Sequence, residues 1–313
     1  MQSEALQQRL DRILLETGYT GAAGRAFSRV LFSLSEQLDR AASAVVCALP
    51  PRLLTRSADR QLLKRNRELF GRHAGQRCFI LGNGPSLLKE DVGLLSDEIC
   101  ITVNQGHRFT ERAGLQPRYH AVVDPIHISD EYNHLFKEWA ALERDCGTTL
   151  LLSTQIADRF AALGQPTAHY AVKQYLISTY FDRNNRMVPI DLHYVQPGYV
   201  SVIHFSIVAA LYMGFSEICL LGCDMDFFIR PEAPFSHSYD EASVCPKSSA
   251  DLFGWDQVDL MAWALVEYRA FRQLGRLAES RGARIVNSSA YGALNVYPRK
   301  LLRDIASDLK VST

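Results

Sequence analysis

Several short segments of the chain carry residue types that bind nucleotides or transfer groups. One is Gly82-Asn83-Gly84-Pro85-Ser86, directly after the apolar run CFIL. Two glycines allow a tight turn close to a ligand, Pro85 suits the first turn of a helix, and the exposed N–H groups there can bind an anion. We therefore expect a phosphate-bearing ligand at this turn, although an ordinary strand-to-helix turn has the same composition. The segment is neither a P-loop nor a complete dinucleotide fingerprint, because it lacks Gly-Lys-Ser/Thr and a third glycine.

Polar residues also follow the next two apolar runs. Asn104 comes after EICITV, with Gln105 beside it, and Asp124 comes after YHAVV. Side chains at the ends of parallel strands can hydrogen-bond a base or a ribose. Asn104 and Asp124 are also residue types that cap helices and form turns, so both readings stay open.

The residues after the later run EICLL include two carboxylates and a nearby histidine. Asp224 and Asp226 could share a divalent ion, or Asp224 could be a structural or substrate-binding carboxylate at a strand end. His237 follows in a polar loop close to Tyr239. Histidine, with an ordinary pKa of about 6.5, suits general-base chemistry near neutral pH. His204, by contrast, sits in an apolar helical stretch and is expected in the core.

The elements that would position these residues begin near residue 76. Short apolar runs alternate with helical stretches, and the runs are continuous rather than alternating in polarity, which is typical of a parallel sheet covered on both faces. We therefore predict an α/β fold, a Rossmann-like, doubly wound, mostly parallel sheet. Ligands of such sheets bind outside the carboxyl ends of the strands, which is where these segments fall. The runs are RCFILG, EICITV, YHAVVD, TTLLLS, EICLLG and ARIVN.

Residues 1–72 have no strand pattern. Apolar residues recur there at helical spacing, so we predict a helical N-terminal segment followed by a catalytic domain over 73–313. The stretch 41–67 joins an apolar part to many basic residues. It could rest on an anionic membrane surface or on a partner, whereas a helix packed on the main domain is the commoner arrangement. Residues 251–280 predict a long helix with an apolar face.

Composition excludes several classes of protein. Of 313 residues, 47% are hydrophobic, and 34 basic residues balance 34 acidic ones, so no global charge attracts nucleic acid. Seven cysteines, mostly in apolar runs, indicate buried thiols, and the spacing of Cys219 and Cys223 does not match a zinc knuckle. No stretch reaches the ~18 apolar residues of a membrane span, and the N-terminus lacks a signal-peptide layout. We expect a cytoplasmic protein, with peripheral contact at the inner face of the membrane left open.

The combination of motifs resembles known bacterial families. GNGPSL after the first core strand, Asn-Gln after the second, a helix leading into GFSEICLLGCD, a downstream loop histidine and a late strand ending Asn-Ser are similar to the bacterial lipooligosaccharide sialyltransferases. The same skeleton resembles the group described as 6-hydroxymethylpterin diphosphokinase-like, which is related to the motility-associated flagellin glycosyltransferases. The resemblance covers roughly residues 76–300 and leaves the helical N-terminal segment unexplained.

The sialyltransferase resemblance implies an inverting transfer from a CMP-activated nonulosonic acid, without a metal. It implies one Rossmann-like domain of the GT-A-variant type with a short lid at about 225–251, and it makes His237 the general base, with Asp224 in the catalytic set. Phe227 and Phe228 stand where that family has tyrosines that bind the departing phosphate, so either Tyr239 is the nearest substitute or the phosphate is held differently. Residues that would bind the donor are Gly82, Asn83, Gly84, Pro85, Ser86, Asn104, Asp124, Ser201, Tyr239, Asn287 and Ser288, the last two being equally readable as a strand-end turn.

Three functions follow as hypotheses. The leading one is a glycosyltransferase that moves an acidic sugar from a nucleotide donor onto a bacterial glycan or glycolipid, without a cofactor. Asp124, at a position where the sialyltransferases have an amide, favours the alternative: ATP-dependent diphosphotransfer to a pterin alcohol, with magnesium held by Asp224 and Asp226. The third is a nucleotide-binding or scaffold subunit that docks through its helical N-terminus. A homo-oligomer is compatible with each of them.

Overall fold

The computed structural model describes most of the chain from residue 55 onward. The described residues are 55–124, 127, 130–164, 168–171, 189–196, 201–229, 237–239 and 256–311. Most of the predicted helical N-terminal segment and most of the predicted lid lie outside these residues. The division of the chain near residue 72 stays a prediction.

Seven parallel strands form one sheet, in the order β5-β4-β3-β2-β1-β6-β7. This confirms the predicted α/β fold with a parallel sheet. The apolar runs predict six of the strands, but not β5, which is three residues long and has the sequence HYA. The strands are β1 (Arg77–Leu81), β2 (Cys100–Val103), β3 (Tyr119–Val122), β4 (Thr149–Ser153), β5 (His169–Ala171), β6 (Glu217–Leu221) and β7 (Arg284–Asn287).

The winding direction of the sheet reverses at β1. Strands β2 to β5 extend from one side of β1, and β6 and β7 lie on its other side. Phe79 is therefore paired with Cys100 of β2 on one side and with Cys219 of β6 on the other. In open sheets of this kind the ligand site is expected at the carboxyl ends of the strands near the reversal.

Helices cover the sheet, and their ends follow from local sequence. Helix α5 is apolar nearly all round, and every residue except Ile203 is buried, because it packs on the central strands β1, β2 and β3. It ends at Gly214, whose φ of 87° favours glycine. The helices are α1 (Ser57–Leu63), α2 (His107–Arg112), α3 (Asn133–Cys146), α4 (Ala157–Ala162), α5 (Val202–Met213), α6 (Gln257–Ser280) and α7 (Leu302–Val311).

Helix α6 begins six residues later than the sequence predicts. Asp256 is the reason, since its side chain accepts hydrogen bonds from the N–H groups of Val258 and Asp259 and so caps the first turn. The apolar face of α6 packs on α5, with Phe271 and Leu274 fully buried.

A second core cluster, centred on Trp139 and Phe160, joins α3 and α4 to β3 and β4. Leu63 of α1 belongs to it, and Asn66 donates to the carbonyl oxygens of Tyr170 and Leu192, so residues 57–69 are packed on the sheet. Among the residues described, no helix combines the length and the apolar character needed to cross a membrane.

Candidate functional site

The turn after β1 lies directly against the turn after β6. The Gly82 N–H donates to the carbonyl of Leu221 at 2.7 Å, and the Gly84 N–H donates to that of Gly222 at 2.8 Å. A Cβ on Gly82 would lie 2.4 Å from the Gly222 oxygen, and one on Gly84 would lie 2.7 Å from the Asp224 carboxyl carbon. The glycines are therefore required by the packing of two turns against each other.

Asp224 binds the start of the short helix Pro85–Lys89. Its Oδ2 accepts from the Ser86 N–H at 2.9 Å, and its Oδ1 accepts from the Ser86 hydroxyl. Both residues are buried. The N–H group of Ser86, which the sequence assigns to a phosphate, is thus bonded to the protein's own carboxylate. The Asp224 carbonyl in turn accepts from the Ala293 N–H at 2.6 Å, which fixes this turn to the segment after β7.

Asn83, after β1, reaches across to β2. Its Nδ2 donates to the carbonyl oxygen of Val103 at 3.3 Å. Because a carbonyl only accepts, the NH₂ group must face Val103, and Oδ1 faces away from it. This oxygen is buried and has no hydrogen-bond partner among the described residues. Gly106 leaves room for it, since a Cβ there would lie 2.8 Å from Oδ1.

Asn104 makes a similar bridge from β2 to β3. Its Nδ2 donates to Asp124 Oδ2 at 2.6 Å, and its Oδ1 is also buried without a partner in the part of the chain that the structure describes. The backbone has a φ of 49°, a left-handed conformation that asparagine tolerates better than most residues. The carbonyl of Asn104 accepts from Trp139 Nε1 at 3.0 Å and lies 3.2 Å from His107 Nδ1. These contacts fix the backbone conformation of Asn104, which aims its side chain along the edge of the sheet formed by the carboxyl ends of the strands, here called the carboxyl edge.

The tripeptide His237-Ser238-Tyr239 lies over the same edge. The Ser238 N–H donates to the Asn83 carbonyl at 2.7 Å, and Tyr239 donates its hydroxyl hydrogen to Gln105 Oε1 at 3.2 Å. The His237 ring stacks on the Tyr239 ring, with centroids 4.9 Å apart and planes 10° apart. The structure therefore brings the sequence-predicted histidine to the ends of β1 and β2, beside Asn83 and Gln105.

The predicted residues after β7 are buried. Asn287 uses its whole side chain locally: Oδ1 accepts from the Ser289 N–H, and Nδ2 donates to the Leu294 carbonyl. Ser288 Oγ is buried and has no partner among the residues described. Ser289, whose hydroxyl oxygen accepts from the Cys223 N–H at 3.1 Å, ties this strand end to β6.

Ser201 is the N-cap of α5. It forms a reciprocal capping box with His204, whose Nε2 lies 3.4 Å from Glu267 Oε2 in the core. His204 is fully buried and its ring contacts Phe271 edge-on, in agreement with the core position predicted for it. Ser201 is thus placed by helix capping, at the end of α5 that faces the carboxyl edge of the sheet.

Sequence reasoning missed several polar residues at this edge. Arg112 Nη2 donates to the Ser238 carbonyl at 3.1 Å, and His127 forms a buried pair behind Tyr239 with Gln105, a residue that the sequence does place at this edge. Burial raises the pKa of Glu90, and the neighbouring Asp224 adds to the rise, while a hydrogen bond with the backbone of Ala290 opposes it. No local pattern marks these residues, because each contact joins segments far apart in the chain.

The carboxyl edge therefore has two parts. On the β1–β3 side the structure brings together two unsatisfied amide oxygens and the histidine, and on the β6–β7 side most of the polar groups are bonded within the protein, with the exception of Ser288 Oγ. Among the described residues, no group of three or more His, Cys, Asp or Glu side chains is placed to hold a metal ion. The first part comprises Asn83, Asn104, Asp124, His237 and Tyr239; the second comprises Gly82, Gly84, Pro85, Ser86, Asp224, Asn287 and Ser288.

Two kinds of known protein resemble this chain, a sequence family and a set of solved structures. A family model described as 6-hydroxymethylpterin diphosphokinase MptE-like matches residues 56–230, which is more than half of the chain. No curated protein matches this chain. Among solved structures, ten chains match. One is the structure of the MAf glycosyltransferase from Magnetospirillum magneticum AMB-1, at 18% identity and a TM-score of 0.42, covering 80% of this chain and 41% of that one. This chain thus spans about two fifths of the length of that structure.

Proposed function

The chain belongs to the MptE-like family, and within it we propose that this protein is a glycosyltransferase that uses a nucleotide-activated sugar. The observation that carries the proposal is the pair of buried amide oxygens on Asn83 and Asn104, which lack partners among the described residues. A ligand that satisfies them must offer hydrogen-bond donors. Sugar and ribose hydroxyls do so, whereas ionised phosphate oxygens only accept. An unsatisfied buried acceptor costs about 1–3 kcal/mol, so a hydroxyl-bearing ligand gains from binding here.

His237 supplies the base for the reaction. It takes the proton of the acceptor hydroxyl while that oxygen attacks the anomeric carbon of the donor. The bond from the anomeric carbon to the phosphate oxygen breaks, and its electron pair leaves with the nucleotide. In-line attack inverts the anomeric centre. The hydrogen bonds of Ser238 to the Asn83 carbonyl and of Tyr239 to Gln105 support this assignment, because they hold the tripeptide at the same edge as the proposed hydroxyl-binding oxygens.

Asp224 and Ser86 have a supporting role in this proposal. Each carboxylate oxygen of Asp224 accepts a hydrogen bond from Ser86, which leaves the Ser86 N–H occupied. The two residues therefore hold the turn that carries Asn83, and the donor phosphate lies elsewhere on the edge.

The donor and acceptor follow from the family resemblance. We propose a CMP-activated nonulosonic or other acidic sugar as donor and a bacterial glycan or glycolipid as acceptor, in the cytoplasm and without a cofactor. Residues 41–67 remain a proposed contact with a membrane surface or a partner.

A second candidate is ATP- and magnesium-dependent diphosphotransfer, which the description of the matching family model favours. This reaction needs carboxylates free to bind the metal. Asp224 does not fit that need, because a metal would compete with Ser86 for both of its oxygens.

Thermal-shift measurements with CMP, CDP, UDP, GDP and ATP, each with and without magnesium, test the proposal. A ligand at about 100 times its dissociation constant stabilises the folded state by about 2.7 kcal/mol. We expect CMP or CDP to raise the melting temperature without magnesium. Asn83→Ala should reduce the shift, whereas Asn295→Ala, a change of the same kind at an exposed position, should leave it intact.

Stabilisation by magnesium-ATP alone would replace the proposal with diphosphotransfer. Stabilisation by none of the nucleotides would overturn both, and would favour a scaffold function.

A further inference from the structure

The tripeptide that carries His237 is held from below by a buried side chain. Tyr239 donates to Gln105 Oε1 at 3.2 Å, and Gln105 is only 4% exposed. The other end of the same amide, Nε2, lies 3.2 Å from His127 Nε2. His127 is 2% exposed, and its Nδ1 lies 3.2 Å from the carbonyl oxygen of Asp124. Four residues thus form one continuous relay: Asp124, His127, Gln105 and Tyr239.

The direction of each hydrogen bond in the relay follows from its first member. The Asp124 carbonyl only accepts, so His127 Nδ1 must carry the hydrogen. In the neutral ring, Nε2 is then the acceptor, and Gln105 must turn its NH₂ group toward it. This leaves Oε1 of Gln105 facing Tyr239, whose hydroxyl donates. One tautomer of His127 therefore determines which amide atom meets the tripeptide.

The surroundings of His127 support that tautomer. The ring packs edge-on against Tyr132 and Trp139, with centroids 5.3 and 5.1 Å away. Burial lowers the pKa of His127, and the charge of Asp124 only partly opposes this, so the ring is neutral near pH 7. A neutral ring has one donor and one acceptor, as the relay requires.

Asp124 also forms a hydrogen bond with Asn104 through its side chain. Its carboxylate accepts from Asn104 Nδ2 at 2.6 Å and so turns the Asn104 oxygen toward the ligand edge. Its carbonyl starts the relay that ends at Tyr239. One residue is therefore bonded both to a ligand-binding amide and to the support of the loop histidine.

We propose that Gln105 and His127 are positioning residues that hold the His237 tripeptide in register with Asn104. Neither residue touches the reacting atoms. They act through Tyr239, whose ring is stacked on His237. The expected effect on turnover rests on the proposed function, because it takes His237 as the base. The fixed position of the tripeptide relative to Asn104 does not depend on that function.

The test uses the full chain with three substitutions. Tyr239→Phe removes only the hydroxyl, His127→Leu removes both ring nitrogens, and His127→Gln returns a group that can bond Gln105. Hydrogen exchange of the Ser238 N–H, which is bonded to the Asn83 carbonyl, reports the register without reference to activity. His134→Leu, at an exposed histidine on α3, is the matched control.

We expect Tyr239→Phe and His127→Leu each to speed exchange of the Ser238 N–H about fivefold, which is the factor for one lost hydrogen bond of ordinary strength. The double variant should exchange no faster than the single ones, because all break the same chain. His127→Gln should restore slow exchange, and kcat should fall more than nucleotide affinity in the two disrupted variants.

Unchanged exchange in Tyr239→Phe would overturn the proposal, even if His127→Leu failed to fold. The proposal would also be overturned if the exchange rate in the double variant rose by the product of the two single effects. Faster exchange with unchanged turnover would support the register and overturn the assignment of His237 as the base, so the two ideas fail separately.

Discussion

His237 and Asn83 are neighbours with different expected roles. The histidine acts on the acceptor proton, so His237→Ala should lower kcat by roughly two to four orders of magnitude and leave nucleotide affinity nearly intact. Asn83 offers a buried oxygen to the donor, so Asn83→Ala should weaken nucleotide binding first. Steady-state kinetics and calorimetric binding on the same preparations separate the two effects. Wild-type behaviour of both variants would show that the site is misplaced.

Asp224 should matter for stability as well as for activity. Asp224→Asn replaces a carboxylate that accepts twice from Ser86, and hydrogen bonds to a charged group contribute about 1.5–3 kcal/mol. We expect the free energy of unfolding in urea to fall by a comparable amount. Asp97→Asn, at an exposed carboxylate, should change it little. A magnesium ligand would behave differently: metal affinity would be lost while stability stayed the same or rose.

At the residue scale, sequence predicts which side chains reach the site better than it predicts what they contact. The position of Asn104 after β2 follows from its place at the end of an apolar run. Its bridge to Asp124, and the buried oxygen that results, depend on a pairing of two strands that no local pattern encodes. The bond between Ser86 and Asp224 joins residues 138 positions apart, which is why the sequence alone predicts a phosphate and not a carboxylate at that turn.

The two turns after β1 and β6 act as one structural unit. Gly82→Ala would place a Cβ 2.4 Å from the Gly222 carbonyl oxygen, a backbone atom that cannot move aside cheaply. Overpacking of this kind costs about 1–3 kcal/mol or more. Gly147→Ala serves as the matched control, because its φ of 67° imposes strain while nothing lies within 4 Å. We expect the larger loss of stability in Gly82→Ala.

Urea denaturation of these two glycine variants is the measurement. If Gly82→Ala kept its stability and lost only nucleotide binding, the glycine would serve close approach to a ligand, as the sequence alone suggests.

At the element scale, the strands of this fold are largely predictable because they are buried on both faces and read as continuous apolar runs. The exception, β5, is an edge strand with two polar or amphipathic residues among its three, so composition gives no signal for it. The start of α6 depends on which of several acidic residues caps it, and Asp256 is distinguished only by the geometry of its side chain.

Six of the histidines that the structure describes are buried in its sheet domain. Burial lowers the pKa of His120 well below its ordinary value, lowers that of His127, and lowers that of His169 to about 4. In the unfolded chain each of these rings titrates near 6.5. Burial in the folded protein, and not one local contact, therefore keeps these rings neutral.

Stability should fall as the solution is acidified. Below pH 6.5 the unfolded chain binds protons that the folded histidines do not, so the stability they contribute above pH 6.5 is lost progressively as pH falls toward their folded pKa values. Each fully neutral ring adds up to about 1.4 kcal/mol per pH unit to this loss. Glu90, Glu98 and Glu143 oppose it above pH 4.5, since burial raises their pKa values and the folded state then binds protons that the unfolded chain has released.

The measurement is the free energy of unfolding in urea at pH 7.5, 6.5 and 5.5, with each variant compared with the wild type so that the contribution of the glutamates cancels. In the wild type the His169 ring stays neutral down to about pH 4 in the folded state, so it contributes to the fall of the free energy of unfolding between pH 6.5 and 5.5. His169→Gln removes this ring and should therefore make that fall smaller. His134→Gln, at an exposed histidine, should leave the slope unchanged. Equal slopes in wild type and His169→Gln would mean that the ring is protonated in the folded protein, and that the interior around β5 is open enough to water to hold the charge.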